Sequence, residues 1–287
     1  MSKNRIGVIG GSGLYDMEGL TVLEELAVET PFGPPSDTIA LVEVAGREVA
    51  FLPRHGRGHR LLPSELPFRA NIYAFKKIGV ERIISVGAVG SMREDVHPRE
   101  VVVPDQFIDR TRGRADTFFG GGVVAHVSFA EPVCAELSAI LADTVEQCGG
   151  TVHRGGTYLC MEGPAFSTRA ESQLYRSWSV DVIGMTNLQE AKLAREAEIC
   201  YATMACVTDY DCWRESDESV TVEMLLENLR KNTELARKVI CGAVPLIPHE
   251  RACPCANALG SALLTDLDQI DDATRDRLDA IIGRYIR

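Results

Sequence analysis

The chain has 287 residues, 41 of them acidic and 30 basic, for a formal net charge of −11. That balance argues against the clustered Lys and Arg that track a nucleic-acid backbone, and no window holds the roughly 18 consecutive apolar residues of a membrane span. Hydrophobic residues at 45% and charged residues at 25% are those of a soluble globular protein with ample length for a core.

The N-terminus runs straight into Ile6-Gly-Val-Ile9, too short an apolar run for a signal-peptide core. It reads as a first strand, Arg5–Ile9. Further β-branched or apolar runs follow at Ile39–Val44, Glu48–Leu52, Arg82–Val86, Glu100–Val103, Asp181–Gly184 and Ile199–Val207. Helical periodicity marks Pro67–Ile78, Pro132–Gln147, Ser167–Trp178, Leu188–Ala197 and Val220–Val239. In the last of these Val222, Leu225, Leu226, Leu229 and Ala236 share one side. Ala258–Leu264 and Thr274–Ile286 read as terminal helices. Strands alternating with helices predict an α/β fold with a central sheet. No Pro/Gly/Ser linker divides the chain, so one domain over 1–250 is expected, with a helical tail at 251–287 packed on it.

Nine cysteines are scattered and odd in number, which fits no complete disulfide framework. They read as reduced, small, buried residues of a cytoplasmic protein. Cys253-Pro-Cys255 stands apart. It reads as a strained redox pair, a metal fragment or two incidental cysteines, and two cysteines alone cannot complete a four-ligand zinc site. Free thiols are the expectation. No His or Cys spacing supplies a metal set, so no metal is expected.

Five motifs can carry chemistry. Gly10-Gly-Ser12-Gly13 follows the first strand; its glycines turn N–H groups inward and Ser12 adds a hydroxyl, as in an anion cradle. Asp16 stands where a dinucleotide fingerprint needs its third glycine, which dismisses a nicotinamide-dependent dehydrogenase. Arg54-His55-Gly56-Arg57-Gly58-His59 follows a strand and offers planar guanidinium donors that match phosphate oxygens. Ser85-Val-Gly87-Ala88-Val-Gly90-Ser91 lets a ligand approach the backbone, or packs tightly against a helix. Gly184-Met185-Thr186-Asn187 caps a strand and leads to Glu190. Thr208-Asp209-Tyr210-Asp211-Cys-Trp213 puts two carboxylates one residue apart at a strand end, where one can move a proton while the other holds an amino group. A carboxyl near an apolar pocket has its pKa raised, which suits general-acid work. A non-catalytic nucleoside-binding protein would keep such a pocket without needing Arg54 or an acid.

In this order, and with Met161-Glu-Gly-Pro164-Ala-Phe-Ser167-Thr-Arg-Ala-Glu171, the motifs resemble the trimeric purine nucleoside phosphorylases from Ile6 to about Ile247. The resemblance implies a single α/β domain whose mixed, distorted central sheet is flanked by helices, assembled as a homotrimer or a dimer of trimers. It implies cleavage of an N-glycosidic bond by inorganic phosphate, a co-substrate, with no cofactor. Ser12, Arg54, His55, Gly87, Ala88 and Thr186 would hold phosphate. Met185 would lie under the ribose, Tyr210 beside the substrate, and Asp209 and Asp211 would face adenine, with Asp209 the catalytic acid near N7. Ser167 and Asp209 stand where the 6-oxopurine branch has Glu and Asn, and Val222 offers an apolar surface where that branch has a His. These three positions point to S-methyl-5′-thioadenosine as substrate; S-methyl-5′-thioinosine or a 6-oxopurine nucleoside is the alternative. Gly87 departs from the Ser or Thr of adenine-specific relatives, leaving only backbone contact there. Phe118-Phe119, beside Gly120-Gly-Gly122, read as exposed aromatics, with Phe118 or Phe119 expected at a subunit contact and His126 near the ribose end.

Overall fold

The computed structural model describes residues 4–11, 14, 21–214 and 222–286, and for 222–225 the backbone alone. Among the described residues eleven strands form one mixed sheet. They are β1 (Arg5–Gly10), β2 (Val22–Leu26), β3 (Ile39–Val44), β4 (Arg47–Pro53), β5 (Val80–Ser91), β6 (Val101–Val103), β7 (Gln106–Arg110), β8 (Val152–Arg154), β9 (Thr157–Met161), β10 (Val182–Gly184) and β11 (Cys200–Asp209). The helices are α1 (Phe68–Lys77), α2 (Ala135–Gln147), α3 (Arg169–Ser177), α4 (Asn187–Glu196), α5 (Val222–Ala243) and α6 (Asp272–Ile286).

The long strand β5 organises the sheet. Its first part pairs in parallel with β1 on one side, and β11 pairs in parallel along the other from Arg82 to Gly90. Its last two residues, Gly90 and Ser91, pair antiparallel with β10. The sheet therefore forks at β5, with β4, β3 and β2 continuing beyond β1, β9 and β7 beyond β10, and β6 and β8 beyond β11. The expected mixed, distorted sheet is the one observed.

Alternation along the strands builds two cores. Ile9, Leu41, Leu52 and Ile83 point to a face covered by α1, α4 and α6. Val8, Val42, Phe51 and Ile84 point to the opposite face, under α2 and α5. Side chains of this size contribute about 1.5–3 kcal/mol each when fully buried. Leu278, Ile281 and Ile282 of α6 lie in the same core as Ile72 and Phe75 of α1. No helix among the described residues is long and apolar enough to cross a membrane.

Two expectations are corrected. Residues 258–262 are a run of turns, and Leu263 bridges Ala125 instead of continuing a helix. On α5, Leu226 and Leu229 are exposed, and the buried stripe is Ala236, Val239, Ile240 and Ala243. The helix is tied to the sheet by amides: Asn228 donates to the Thr208 carbonyl at 2.9 Å and Asn232 to that of Val207 at 2.8 Å. Strands β2, β7, β8 and β9 were not foreseen.

Candidate active site

The C-terminal ends of β1, β4 and β11 meet the middle and end of β5. Gly10 pairs with Pro53, and the next residue, Arg54, donates its backbone N–H to the Gly10 carbonyl at 2.9 Å. That contact sends the Arg54 side chain inward, where it is 3% exposed. The guanidinium meets both carboxylate oxygens of Glu190 on α4, one from Nε and the other from Nη2 at 3.1 Å. Nη2 also donates to Ser85 Oγ at 2.6 Å, and Nη1 to the Val86 carbonyl at 3.0 Å. One N–H of Nη1 remains, and that nitrogen lies 4.0 Å from where a Cβ on Gly87 would stand. Burial lowers the Arg54 pKa, but the opposing charge of Glu190 outweighs it and raises it.

Around this pair runs a buried polar network. Ser85 donates to Glu190 at 2.8 Å and Tyr201 Oη to Glu190 at 2.9 Å. Asn187 Nδ2 donates toward Ser85, Tyr201 and Thr203 at 3.0–3.1 Å, and its Oδ1 accepts from Tyr158 Oη at 2.9 Å. Tyr158 reaches in because Gly184 has no side chain: a Cβ there would fall 1.9 Å from the phenol oxygen. Thr186 is buried at the N-cap of α4, yet its hydroxyl makes no capping bond. It lies 3.4 Å from Asn187 Oδ1, at the positive end of the helix. His55 Nδ1 meets the Leu61 carbonyl at 2.8 Å, so it carries the proton and leaves Nε2 as an acceptor. Burial lowers the His55 pKa to about 4, and the ring is neutral near pH 7. Gly87 is half-buried and Ala88 exposed.

The carboxylates stand at the end of β11. Asp209 accepts from the Thr208 hydroxyl at 2.7 Å and from the Asp211 backbone N–H at 2.8 Å. That second bond holds Asp211 in the left-handed region at φ 51°, a conformation costly for a non-glycine residue and frequent where function demands it. The Asp211 carboxylate accepts from Ser172 Oγ, and Ser167 lies beside it. Burial raises the Asp211 pKa, and the Asp209 charge adds to this. A Cβ on Gly90 would stand 3.2 Å from Asp209 Oδ1 and 3.3 Å from Asp211 Cβ. Tyr210 packs edge-on against His97 and Trp213, with the Arg214 guanidinium over its ring at 4.1 Å. Met185 is half-buried, its sulfur 2.6 Å from where a Cβ on Gly163 would be, so Gly163 at φ 67° seats that thioether.

Strand β5 thus acts as a ruler. Gly87, beside Arg54, and Gly90, beside the two aspartates, are three residues apart, or about 10 Å along a strand. Such a span fits an anion at one end and a flat ring at the other. Ser12 lies outside the described residues, as does the Val222 side chain. The expected exposure of the Phe118-Phe119 pair is corrected: Phe119 is buried, and Phe118 is buried 5.4 Å from the Phe32 ring and 6.4 Å from Tyr73. Phe119 and His126 line a cavity of about 510 Å³ with Lys192 and Glu196. Cys134, Cys200, Cys253 and Cys255, which no sequence spacing joins, converge at the start of β11.

The family model "Phosphorylase superfamily" matches residues 5–245. The chain belongs to the phosphorylase superfamily. Among its relatives is the S-methyl-5′-thioadenosine phosphorylase of Geobacter sulfurreducens, 61% identical over 98% of this chain and 99% of that one. The protein of the same name from Gloeobacter violaceus is 59% identical over 98% and 96%. A solved methylthioadenosine phosphorylase from an antarctic soil metagenomic library superposes with a TM-score of 0.93 at 51% identity, covering 96% of this chain and 98% of that one. A variant of the Schistosoma mansoni adenosine/methylthioadenosine phosphorylase, in complex with methylthioadenosine, gives 0.83 at 36% identity over 90% and 96%.

In this phosphorylase chain the sequence reading singled out Arg54 but not what holds it. Tyr158 and Tyr201, and the contacts of Ser85 and Glu190 with Arg54, emerge only from the packing of α4 against β5, β9 and β11. The signal for Glu190 was its seat on a helix that directly follows the Gly184-Met-Thr186 motif.

Proposed function

We propose that this protein cleaves S-methyl-5′-thioadenosine with inorganic phosphate, giving adenine and 5-methylthioribose 1-phosphate, a salvage step in the cytoplasm. The observation that carries the reading is the pairing of two unlike subsites on one strand. A buried, partly free guanidinium and a helix N-terminus stand at Gly87, and two carboxylates stand about 10 Å away at Gly90. Relatives of that name at 59–61% identity, and a structural neighbour holding methylthioadenosine, support the choice of substrate.

Phosphate sits between Arg54, Thr186 and the backbone of Gly87 and Ala88, with Ser12 closing the cradle. His55, neutral, accepts the O–H of a monoprotonated phosphate at Nε2, which turns the anionic oxygens toward the sugar. Met185 lies under the ribose. Asp209 delivers a proton at N7 as the glycosidic bond lengthens, and Asp211, anchored by Ser172, takes the 6-amino group. Tyr210, between them in sequence, closes the base end. Protonation neutralises the charge building on the leaving purine while phosphate stabilises the cationic sugar and attacks it. Ser167 adds no third carboxylate at the base end, and Val222 lies on the helix assigned to the 5′-methylthio group. The reaction needs no cofactor. The assembly is a homotrimer in which the Phe119–His126 cavity meets a neighbour. Phosphorus NMR of the reaction tests the chemistry: a pentose 1-phosphate resonance growing with adenine is expected, and free methylthioribose with unchanged phosphate would contradict it.

A further inference from the structure

Four cysteines from three separate elements point into one volume. Cys134 is the N-cap of α2, Cys200 opens β11, and Cys253 and Cys255 flank Pro254 at the short 3-10 turn Pro254–Asn257. All four Sγ atoms lie within 4.8 Å of one another. Cys134, Cys200 and Cys255 are buried in the apolar core, and Cys253 packs against it. We propose that these four cysteines form a closed tetrathiolate site for zinc that pins the C-terminal tail to the body of the fold.

The geometry favours a metal over a bridge. A tetrahedral Zn–S₄ centre with bonds of about 2.3 Å has sulfur–sulfur edges of about 3.8 Å. Cys200 and Cys253 sulfurs are 3.3 Å apart, well beyond a disulfide's length of about 2.05 Å. The donor set is soft, four-membered and shielded from water, with no position left for substrate, which is the arrangement of a structural zinc. Binding is redox-neutral. Four thiols lose four protons to solvent, four Zn–S bonds form, and the site carries a net charge of −2. The surroundings oppose that charge. Cys134 stands at the positive end of α2, and Arg82 is the register partner of Cys200 on β5. The incoming tail is held as well: Arg82 donates to the Glu250 carbonyl at 3.0 Å and Arg251 to that of Glu198 at 2.7 Å. Asp209 is nine residues along β11 from Cys200, about 30 Å at strand rise, so the site acts on stability and not on the reacting atoms.

The test is metal analysis of the full-length, untagged protein purified under reducing conditions with zinc present and chelator-free buffers. About one zinc per chain is expected, released stoichiometrically when a mercurial titrates the thiols. Cys253→Ser and Cys255→Ser should each drop zinc below about a tenth per chain and lower the melting temperature. Should either variant fail to fold, cobalt loading of the wild type decides, with the ligand-field bands of tetrahedral tetrathiolate cobalt expected. Absence of both zinc and those bands in the reduced wild type would overturn the proposal. So would peptide mapping under non-reducing conditions that finds the four sulfurs paired as disulfides in the freshly isolated protein.

Discussion

Arg54 and Glu190, 136 residues apart in sequence, form a two-pronged ion pair that is almost wholly buried, with exposures of 3% and 2%. Glu190 takes two of the five guanidinium N–H groups and Ser85 and Val86 take two more, so one remains for the phosphate of the proposed reaction. Removing one partner of such a pair costs about 3–5 kcal/mol, since the other charge is left buried alone.

Arg54→Ala is therefore expected to do two things. The melting temperature falls, and the phosphate KM rises about 10- to 100-fold with the loss of a charge-assisted contact. A double variant, Arg54→Met with Glu190→Gln, separates them: thermal melts should recover in part while the phosphate KM stays high. Recovery of both would place Arg54 outside the anion site.

Asp209→Asn should lower kcat on methylthioadenosine by at least about 100-fold, the usual worth of proton transfer. Asp211→Asn should act mainly through KM. Adding Ser167→Glu to Asp209→Asn should shift the preference toward 6-oxopurine nucleosides. Wild-type turnover by the single Asp209→Asn variant would remove the general-acid role.

Gly87→Ser should strengthen phosphate binding. Its Cβ would meet Asn187 Oδ1 at 3.4 Å and Arg54 Nη1 at 4.0 Å, ordinary contacts, so the side chain enters without strain. A hydroxyl bonded to a charged group contributes about 1.5–3 kcal/mol, so the phosphate KM should fall about tenfold or more. An unchanged KM would show that phosphate does not reach Gly87.

Two buried groups give opposite pH signatures. The folded pKa of His55 is about 4 against 6.5, so its contribution to stability is present above pH 6.5 and is lost as pH falls toward 4. His55→Gln should flatten that loss in melts between pH 7 and 4. Burial raises Glu196 from 4.5 to about 7, so stability is greatest below pH 4.5 and declines as pH rises through 7. Glu196→Gln keeps an acceptor for the Phe118 N–H and turns its amide nitrogen toward the Thr117 oxygen. It should raise the melting temperature at pH 8 and leave it unchanged near pH 4.

The strands with β-branched runs, such as Ile39–Val44 and Ile199–Val207, were legible because burial on both faces writes a continuous apolar signature. Strand β2 was not, since Val22 and Leu23 are exposed on an edge, and β8 is only three residues long. The glycine loops and Arg54 declared themselves through local composition. The partners of Glu190 and Asn187 did not, because a buried acid or amide looks in sequence like any polar helix residue until its partner is known. The four cysteines illustrate the same limit: Cys253 and Cys255 are one residue apart in sequence, but Cys134 and Cys200 join them only through the register of β11 and the start of α2. Phe118 misled for the converse reason, since three following glycines suggested a surface loop while Phe32 and Tyr73 cover its ring.

The central claim is best tested by initial rates on methylthioadenosine, adenosine, methylthioinosine and inosine, each with and without inorganic phosphate. The account predicts the highest kcat/KM for methylthioadenosine, much lower values for both 6-oxopurine nucleosides, and no cleavage of any of them without phosphate. Cleavage that proceeds equally without phosphate, or inosine and methylthioinosine turned over faster than methylthioadenosine, would contradict it.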